Sequence, residues 1–244
     1  MPKPPGAGQT FMQDTGYSRA RPVQGALLAR PVPAYKQYGA AVRRLALPRP
    51  ERMEGMGLWE TLARRRSRRT FSGEPLSLGE LGQLLWAVSG LTGELEKQLV
   101  RTAASAGGLY PNETYVFTHR VADCPSGLAH YDVQAHSLEL LAEGDYRFPL
   151  ASACLGQPCV REAAVVLGWA AVIQRATWKY ADRAYRYVLL DAGHLGAHLQ
   201  LAATALGLGS VNVGAFFDDE VNGLLGLDGE KEFAVYLAAV GKIA

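Results

Sequence analysis

Hydrophobic positions change their spacing several times along the chain, and each change predicts an element. From Leu58 to Arg65 they recur at helical intervals, and Leu78, Leu81, Leu84, Leu85 and Val88 make a second helical face. Ser77, with Glu80 three residues on, forms a capping box ahead of that face, and Gly90 stops it. Strand-like segments follow at Tyr115/Phe117, Leu128–Val133 and Leu138–Leu141, separated by turn signals. Ala163–Ile173 is apolar for 11 residues, which predicts a buried strand. The longest helical pattern, Tyr187–Leu208, closes on Gly207 and Gly209. It carries so few polar positions that burial is expected, with a subunit interface as one way to achieve it. Strands at Val211–Phe216 and Phe233–Val240 bracket a short helix opened by Asp218 and Asp219. This order predicts an α+β fold with an antiparallel or mixed sheet, not a regular βαβ alternation.

The first 50 residues have another texture, with eight of the 13 prolines: Pro2, Pro4, Pro5, Pro22, Pro31, Pro33, Pro48 and Pro50. Proline fixes φ and removes a donor, so residues 1–50 are expected to form an extended arm, disordered over about the first twenty residues, ahead of a domain spanning 51–244. At 48% hydrophobic and 20% charged, the 244-residue chain can bury a sizeable core. Its net charge of +2 conceals an asymmetry: residues 1–70 hold 14 Lys/Arg against 4 Asp/Glu, and the remainder 11 against 19. That bias suggests an anionic partner for the front of the chain. Three cysteines without zinc spacing argue against a disulfide scaffold or a metal site. No apolar run reaches the 18 residues of a membrane span, and no signal peptide is visible, so a soluble cytoplasmic protein is expected.

Four segments could carry chemistry. Arg64 to Arg69 places five arginines around Ser67, a donor set suited to phosphate as much as to a solvated surface. Ser105-Ala106-Gly107-Gly108-Leu109-Tyr110 offers a turn that lets a flat ligand approach the backbone, or simply a turn into a strand. Gly207 to Phe216 has the first spacing of a dinucleotide fingerprint but lacks its third glycine and follows a helix, so a Rossmann site is not expected. Around Trp178-Lys179-Tyr180, Arg175, Lys179 and Arg183 would share one helical face, and a lysine so placed could act as acid or base with Tyr180 beside it. His194 and His198 have a metal-compatible spacing but no third ligand, so packing or hydrogen bonding is the favoured reading.

Taken in order, RRSRRTFSGEPLSLGELGQLLWAVSG, SAGGLYPNETYVF, WKYADRAYRYVLLDAGHLGAHLQLAATALGLG and SVNVGAFFDD resemble the nitroreductase-like FMN oxidoreductase superfamily. The likeness is closest to its SagB-type branch, the azoline dehydrogenases that form thiazoles and oxazoles in modified peptides, and it covers roughly residues 35–244. The resemblance implies an intertwined homodimer, a central sheet flanked by helices, and FMN at the subunit interface. It assigns Arg65, Arg66, Ser67 and Arg69 to the FMN phosphate, with Lys242 as a late basic contact. Ser105, Ala106, Gly107, Gly108 and Tyr110 would lie against the flavin, often from the partner subunit. Gln157 would reach the ring, and Gly214 and Ala215 would offer backbone N–H groups near N5 and O4. Lys179 and Tyr180 match the pair associated with azoline oxidation.

The implied reaction is hydride transfer from an azoline carbon to flavin N5, with O2 as reoxidant and a cyclodehydratase as candidate partner. An NAD(P)H-dependent nitro or quinone reductase using the same pocket is the enzymatic alternative. A flavin- or peptide-binding scaffold with little turnover is the alternative of another class. Nucleic-acid and membrane partners are not expected.

Overall fold

The computed structural model describes residues 6–17, 19, 32–40, 42–50, 56–95 and 98–244. The uninterrupted apolar run becomes β7 (Val165–Val172), buried on both faces for all but its last residue. On one side β7 pairs with β4 (Asn112–Thr118), and beyond it lie β5 (Gly127–Asp132), β6 (Ser137–Glu143) and β1 (Arg43–Ala46). On the other side stand β9 (Glu232–Lys242) and, at the edge, β8 (Leu208–Val213). Every ladder of this seven-stranded sheet is antiparallel, which resolves the choice the pattern left open.

Helices seal both faces. On one, α3 (Leu78–Ser89) and α7 (Ala184–Ala205) bring Leu81, Leu85, Leu195 and Leu199 against Val116, Leu167 and Trp169. On the other, α4 (Arg147–Ala153), α5 (Pro158–Glu162) and α8 (Asp218–Leu225) pack Leu150, Val160 and Val221 against Tyr115, Phe117 and Leu237. α2 (Leu58–Arg64) lies along α7. A hairpin of β2 (Leu91–Leu95) and β3 (Gln98–Arg101) stands apart from the main sheet. No helix among the described residues is long and apolar enough to cross a membrane.

The predicted capping box forms: Ser77 Oγ accepts from Glu80 N at 3.1 Å and Ser77 N donates to Glu80 Oε2 at 2.8 Å. The long helix sits three residues earlier than the periodicity suggests, because Gly207 (φ +71°) turns the chain out and Leu208 already pairs with Lys242 on β9. The expectation of an extended arm needs amending in two places. Residues 7–14, which contain no proline, form α1 (Ala7–Asp14), and Arg43–Ala46 joins the sheet as β1. Of the prolines counted in the arm, Pro2, Pro4, Pro5, Pro22 and Pro31 lie outside the described residues.

A second amendment concerns α6 (Gln174–Tyr180), which ends at Ala181, a residue with φ +46°. Arg183 therefore lies beyond the break and does not share a helical face with Lys179. There Arg183 Nη1 donates to Thr15 O at 3.1 Å, and Arg186 donates to Met12 O, which together seat the C-terminus of α1. Arg175 turns inward instead, donating through Nε to Pro33 O at 2.7 Å and pairing with Glu113 at 2.6 Å.

Glu113 belongs to a row of polar side chains built by strand register, in which Tyr115 faces His130, His130 faces Glu139 and Glu139 faces Arg44 at its exposed end. His130 spans Glu113 (3.1 Å) and Glu139 (2.9 Å), and Arg44 closes the row on Glu139 at 2.8 Å. Burial pushes the Glu113 carboxyl up, but His130 and Arg175 outweigh it and hold the group at about 2, against 4.5 for an ordinary glutamate. Ionised Glu113 thus adds stability above pH 4.5, and that contribution is lost as pH falls toward 2. A Glu113→Gln protein should lose this acid-limb dependence in denaturant titrations at stepped pH; an unchanged acid limb would contradict the pairing.

Candidate functional site

Arg65 takes an extended ψ of 123° that ends α2, and the basic run leaves the helix there. Arg66 Nη1 folds back to Ala63 O (3.0 Å) and Arg65 O (2.7 Å), placing positive charge at the helix C-terminus. The following residues run beside β8: Ser67 bridges Ser210, and Arg68 N donates to Ser210 O at 2.9 Å. Arg65 is half-buried against Gln200 (3.3 Å), and Arg64 pairs with Glu60 at 2.7 Å. Arg66, Ser67, Arg68 and Arg69 remain exposed along this edge.

Four residues on from Ser210, about 13 Å at the usual strand rise, β8 gives way to Gly214 and Ala215. Both are exposed and lie beyond the last ladder pair, Val213 with Leu237. Gln157 holds this end in place, its Nε2 donating to Ala215 O and Cys154 O, each at 3.0 Å. The glutamine amide is thereby engaged with the backbone that was expected to flank the ring. Lys242, expected as a late basic contact, has a partner within the chain: its Nζ is 2.5 Å from Glu80 Oε1, at the cap of α3. Burial raises the Glu80 carboxyl, yet the hydrogen bonds from Lys242 and Ser77 hold it below the usual range.

A second cluster forms around residues 105–110. Ser105 Oγ donates to Asp191 Oδ2 at 2.6 Å and accepts from Tyr110 N at 2.9 Å, while Ala106 N donates to Asp191 Oδ1 at 3.1 Å. Gln98 Nε2 donates to Gly108 O at 2.8 Å, and Tyr110 Oη accepts from Arg101 N at 3.2 Å. Ser105, Ala106 and Tyr110, expected to face a ligand, therefore use these groups to build the turn. Gly107 (φ +64°) is the part left facing outward. Lys179 and Tyr180 close on it: a Cβ added there would lie 2.3 Å from Tyr180 Oη and 2.8 Å from Lys179 Nζ.

The two clusters stand apart within one chain. Asp191 anchors the turn and Gln200 meets Arg65, nine residues later on α7 (191 to 200) or about 14 Å along a helix. Tyr185, Leu189 and Leu190 of α7 and Leu58, Trp59 and Leu62 of α2 are exposed hydrophobics, with Trp59 at 82%. His194 and His198 donate through Nδ1 to Ala104 O (3.2 Å) and Ala87 O (3.0 Å), in line with the packing role preferred for them. Among the described residues no group of three His, Cys, Asp or Glu side chains could hold a metal ion. The three cysteines are free, and burial next to Cys159 raises the Cys154 thiol to about 12. Asp191, Arg101 and Gln98 escaped the sequence reading, since a lone carboxylate in an apolar helix gives no sign of what it will meet.

Gly107→Ala should cost about 1–2 kcal/mol from its left-handed backbone and, in addition, push Lys179 and Tyr180 out of place. Gly156→Ala is the control, having φ +71° with open space around its Cβ. Thermal unfolding and crystal structures of both variants measure this; equal effects with an undisturbed pair would contradict the close packing at Gly107.

The nitroreductase family model matches residues 62–242. A protein of Methanocaldococcus jannaschii that carries a provisional nitroreductase name is 37% identical over 190 residues, 78% of this chain and 93% of the relative. The trifolitoxin operon protein TfxC of Rhizobium leguminosarum bv. trifolii is 24% identical over 226 residues, 86% of this chain and 62% of that protein. A crystal structure from Anabaena variabilis, also provisionally a nitroreductase, superposes at a TM-score of 0.80 with 28% identity; all of this chain is covered, but it spans only 49% of that one. The E. coli microcin synthetase complex McbBCD, with truncated pro-MccB17 bound, contains a chain of the same fold at a TM-score of 0.62 and 19% identity, covering 86% of this chain and 85% of that one. The antiparallel sheet, its two helical layers and these matches agree: the chain belongs to the nitroreductase family and is an oxidoreductase of that family.

Proposed function

We propose that this oxidoreductase is an FMN-dependent dehydrogenase that converts azoline rings of a modified peptide to azoles. The observation that carries this reading is the packing of Lys179 Nζ and Tyr180 Oη on Gly107, which presents an amine and a phenol together at an exposed glycine turn. The names of the trifolitoxin operon relative and of the microcin synthetase complex, which holds a pro-peptide, lend it support. The donor set suits the cofactor. Arg66, Ser67 and Arg69 offer guanidinium and hydroxyl groups to a phosphate, with Arg65 behind them, and the exposed Gly214-Ala215 backbone suits a flat ring. Lys242, already held by Glu80, is left out of that set.

Bound FMN would supply a two-electron hydride acceptor, with O2 as its reoxidant. The substrate loses hydride from one ring carbon, Lys179 or Tyr180 takes the proton from the neighbouring carbon, and the new double bond completes the azole. The partner reaction must be the cyclisation that makes the azoline. A homodimer accounts for the distance between the two clusters. The exposed apolar residues of α7 and α2 would meet their counterparts, and the partner's turn would face this chain's basic edge. An NAD(P)H-driven nitro or quinone reductase is the second reading, favoured by the name of the M. jannaschii relative.

Purified protein should show a flavin absorbance spectrum. Lys179→Ala should retain FMN and lose azoline oxidation by roughly a hundredfold or more, the scale of general acid–base catalysis; undiminished turnover removes the lysine from the mechanism. NAD(P)H consumption with a nitroaromatic, and none of azoline, would select the second reading. Arg69→Ala should weaken FMN binding about tenfold, the scale of one charged hydrogen bond. Unaltered affinity in a fluorescence titration would move the phosphate elsewhere.

A further inference from the structure

Behind the 105–110 turn lies a small, partly open pocket lined by Ser89, Arg101, Asn112, Asp191, Ser105 and Tyr110 among others. Ser89, Arg101 and Asn112 are 2%, 8% and 4% exposed, and among the described residues Ser89 Oγ, Arg101 Nε and Asn112 Oδ1 make no hydrogen bond. Other atoms of the same side chains are fixed: Asn112 Nδ2 donates to Val188 O at 3.1 Å, and the Arg101 guanidinium lies between the rings of Tyr35 (5.2 Å) and Tyr110 (4.7 Å). Asn112 and Arg101 are thus held in place, whereas the Ser89 hydroxyl can rotate toward a partner in the pocket. Burying a polar group without a hydrogen bond is strongly unfavourable, and here three such groups border one cavity. A buried water ordinarily makes two to four hydrogen bonds, and the three unpartnered groups of this lining would supply them.

We propose that one ordered water fills this cavity, accepting from Arg101 Nε and donating to Asn112 Oδ1 with Ser89 Oγ as third partner, and that Asp191 is a positioning residue. The water supports the floor of the turn, and the Asp191 carboxylate clamps Ser105 and Ala106 from α7. Together they hold Gly107 against Lys179 and Tyr180. The role in turnover rests on the proposed chemistry of that pair; the water and the clamp do not.

Two structural measurements test the inference on the full chain. A high-resolution crystal structure should show solvent density within hydrogen-bond distance of Ser89 Oγ, Arg101 Nε and Asn112 Oδ1; a dry cavity, or a halide there on bromide soaking, overturns the water. Amide hydrogen exchange over residues 103–110 should quicken roughly tenfold in Asp191→Asn, the scale of losing hydrogen bonds to a charged group. Ser105→Ala should show the same trend if Asp191→Asn fails to fold, and unchanged exchange overturns the clamp. In the flavin-loaded enzyme, Asp191→Asn should lower kcat with KM unchanged, and adding it to Lys179→Ala should cost nothing more. An additive loss overturns the positioning role. If Lys179→Ala alone leaves azoline turnover intact, the proposed function fails, while density and exchange still decide the water and the clamp.

Discussion

Both faces of the central strands are sealed by helices, and that constraint decides where every polar group in the protein goes. β4 and β7 are buried along almost their whole length, so a charge carried by a central strand has to find its partner inside. Glu113 does so between His130 and Arg175, and Tyr115 Oη accepts from Lys36 while donating to Glu232. Groups able to meet a ligand are displaced to the places where burial ends: the outer edge beside β8, the residues past its last ladder pair, and the turn at one end of α7. The architecture thus produces two separated sets of exposed polar groups, and at the glycine turn it does so with left-handed backbone at Tyr110 (φ +46°) and, beside Lys179 and Tyr180, at Ala181 (φ +46°).

The charge bias between the front and the rest of the chain acquires two meanings. Part of it is the arginine run at the sheet edge. Another part is internal: Lys36 pairs with Glu232 at 2.6 Å, Arg44 with Glu139 at 2.8 Å and Arg43 with Glu143 at 3.3 Å. Basic residues from the arm are matched by acidic residues from the later strands, which fastens Lys36, Arg43 and Arg44 to the sheet. The exposed Arg43 pair adds little, whereas the Arg44 contact meets a carboxylate that is buried in the sheet. Three of the 14 basic residues at the front of the chain are thus matched within the molecule.

Long, strongly periodic segments were legible from sequence because many residues vote together. The faces of α3 and α7, the apolar β7 and the Ser77 cap all declared themselves this way. α4 and α5, of seven and five residues, did not, since one or two helical turns hold too few positions to establish a period. β1 was hidden by the prolines around it, and the β2–β3 hairpin by its polar, mostly exposed residues. In the site, the order of the motifs brought out Lys179, Tyr180 and the glycine turn. The direction of individual side chains was beyond reach: Ser105 and Tyr110 point into the turn, and the Arg175 side chain is buried against Glu113 although Lys179, one turn on, is exposed. Such outcomes depend on Asp191, Arg101 and Glu113, which come from distant parts of the chain.

Strand order also ties the basic edge to a distant part of the chain. Among the described strands β9 comes last in sequence, yet it is inserted between β7 and β8 and is the one that β8 pairs with. Without residues 232–242, β8 has no ladder and the backbone of the arginine run has no seated strand to lie against. The same segment carries Lys242, which reaches back across 162 residues to Glu80 at the start of α3. The basic edge therefore depends on a ladder supplied from far along the sequence, a non-local pairing that couples it to the centre of the sheet.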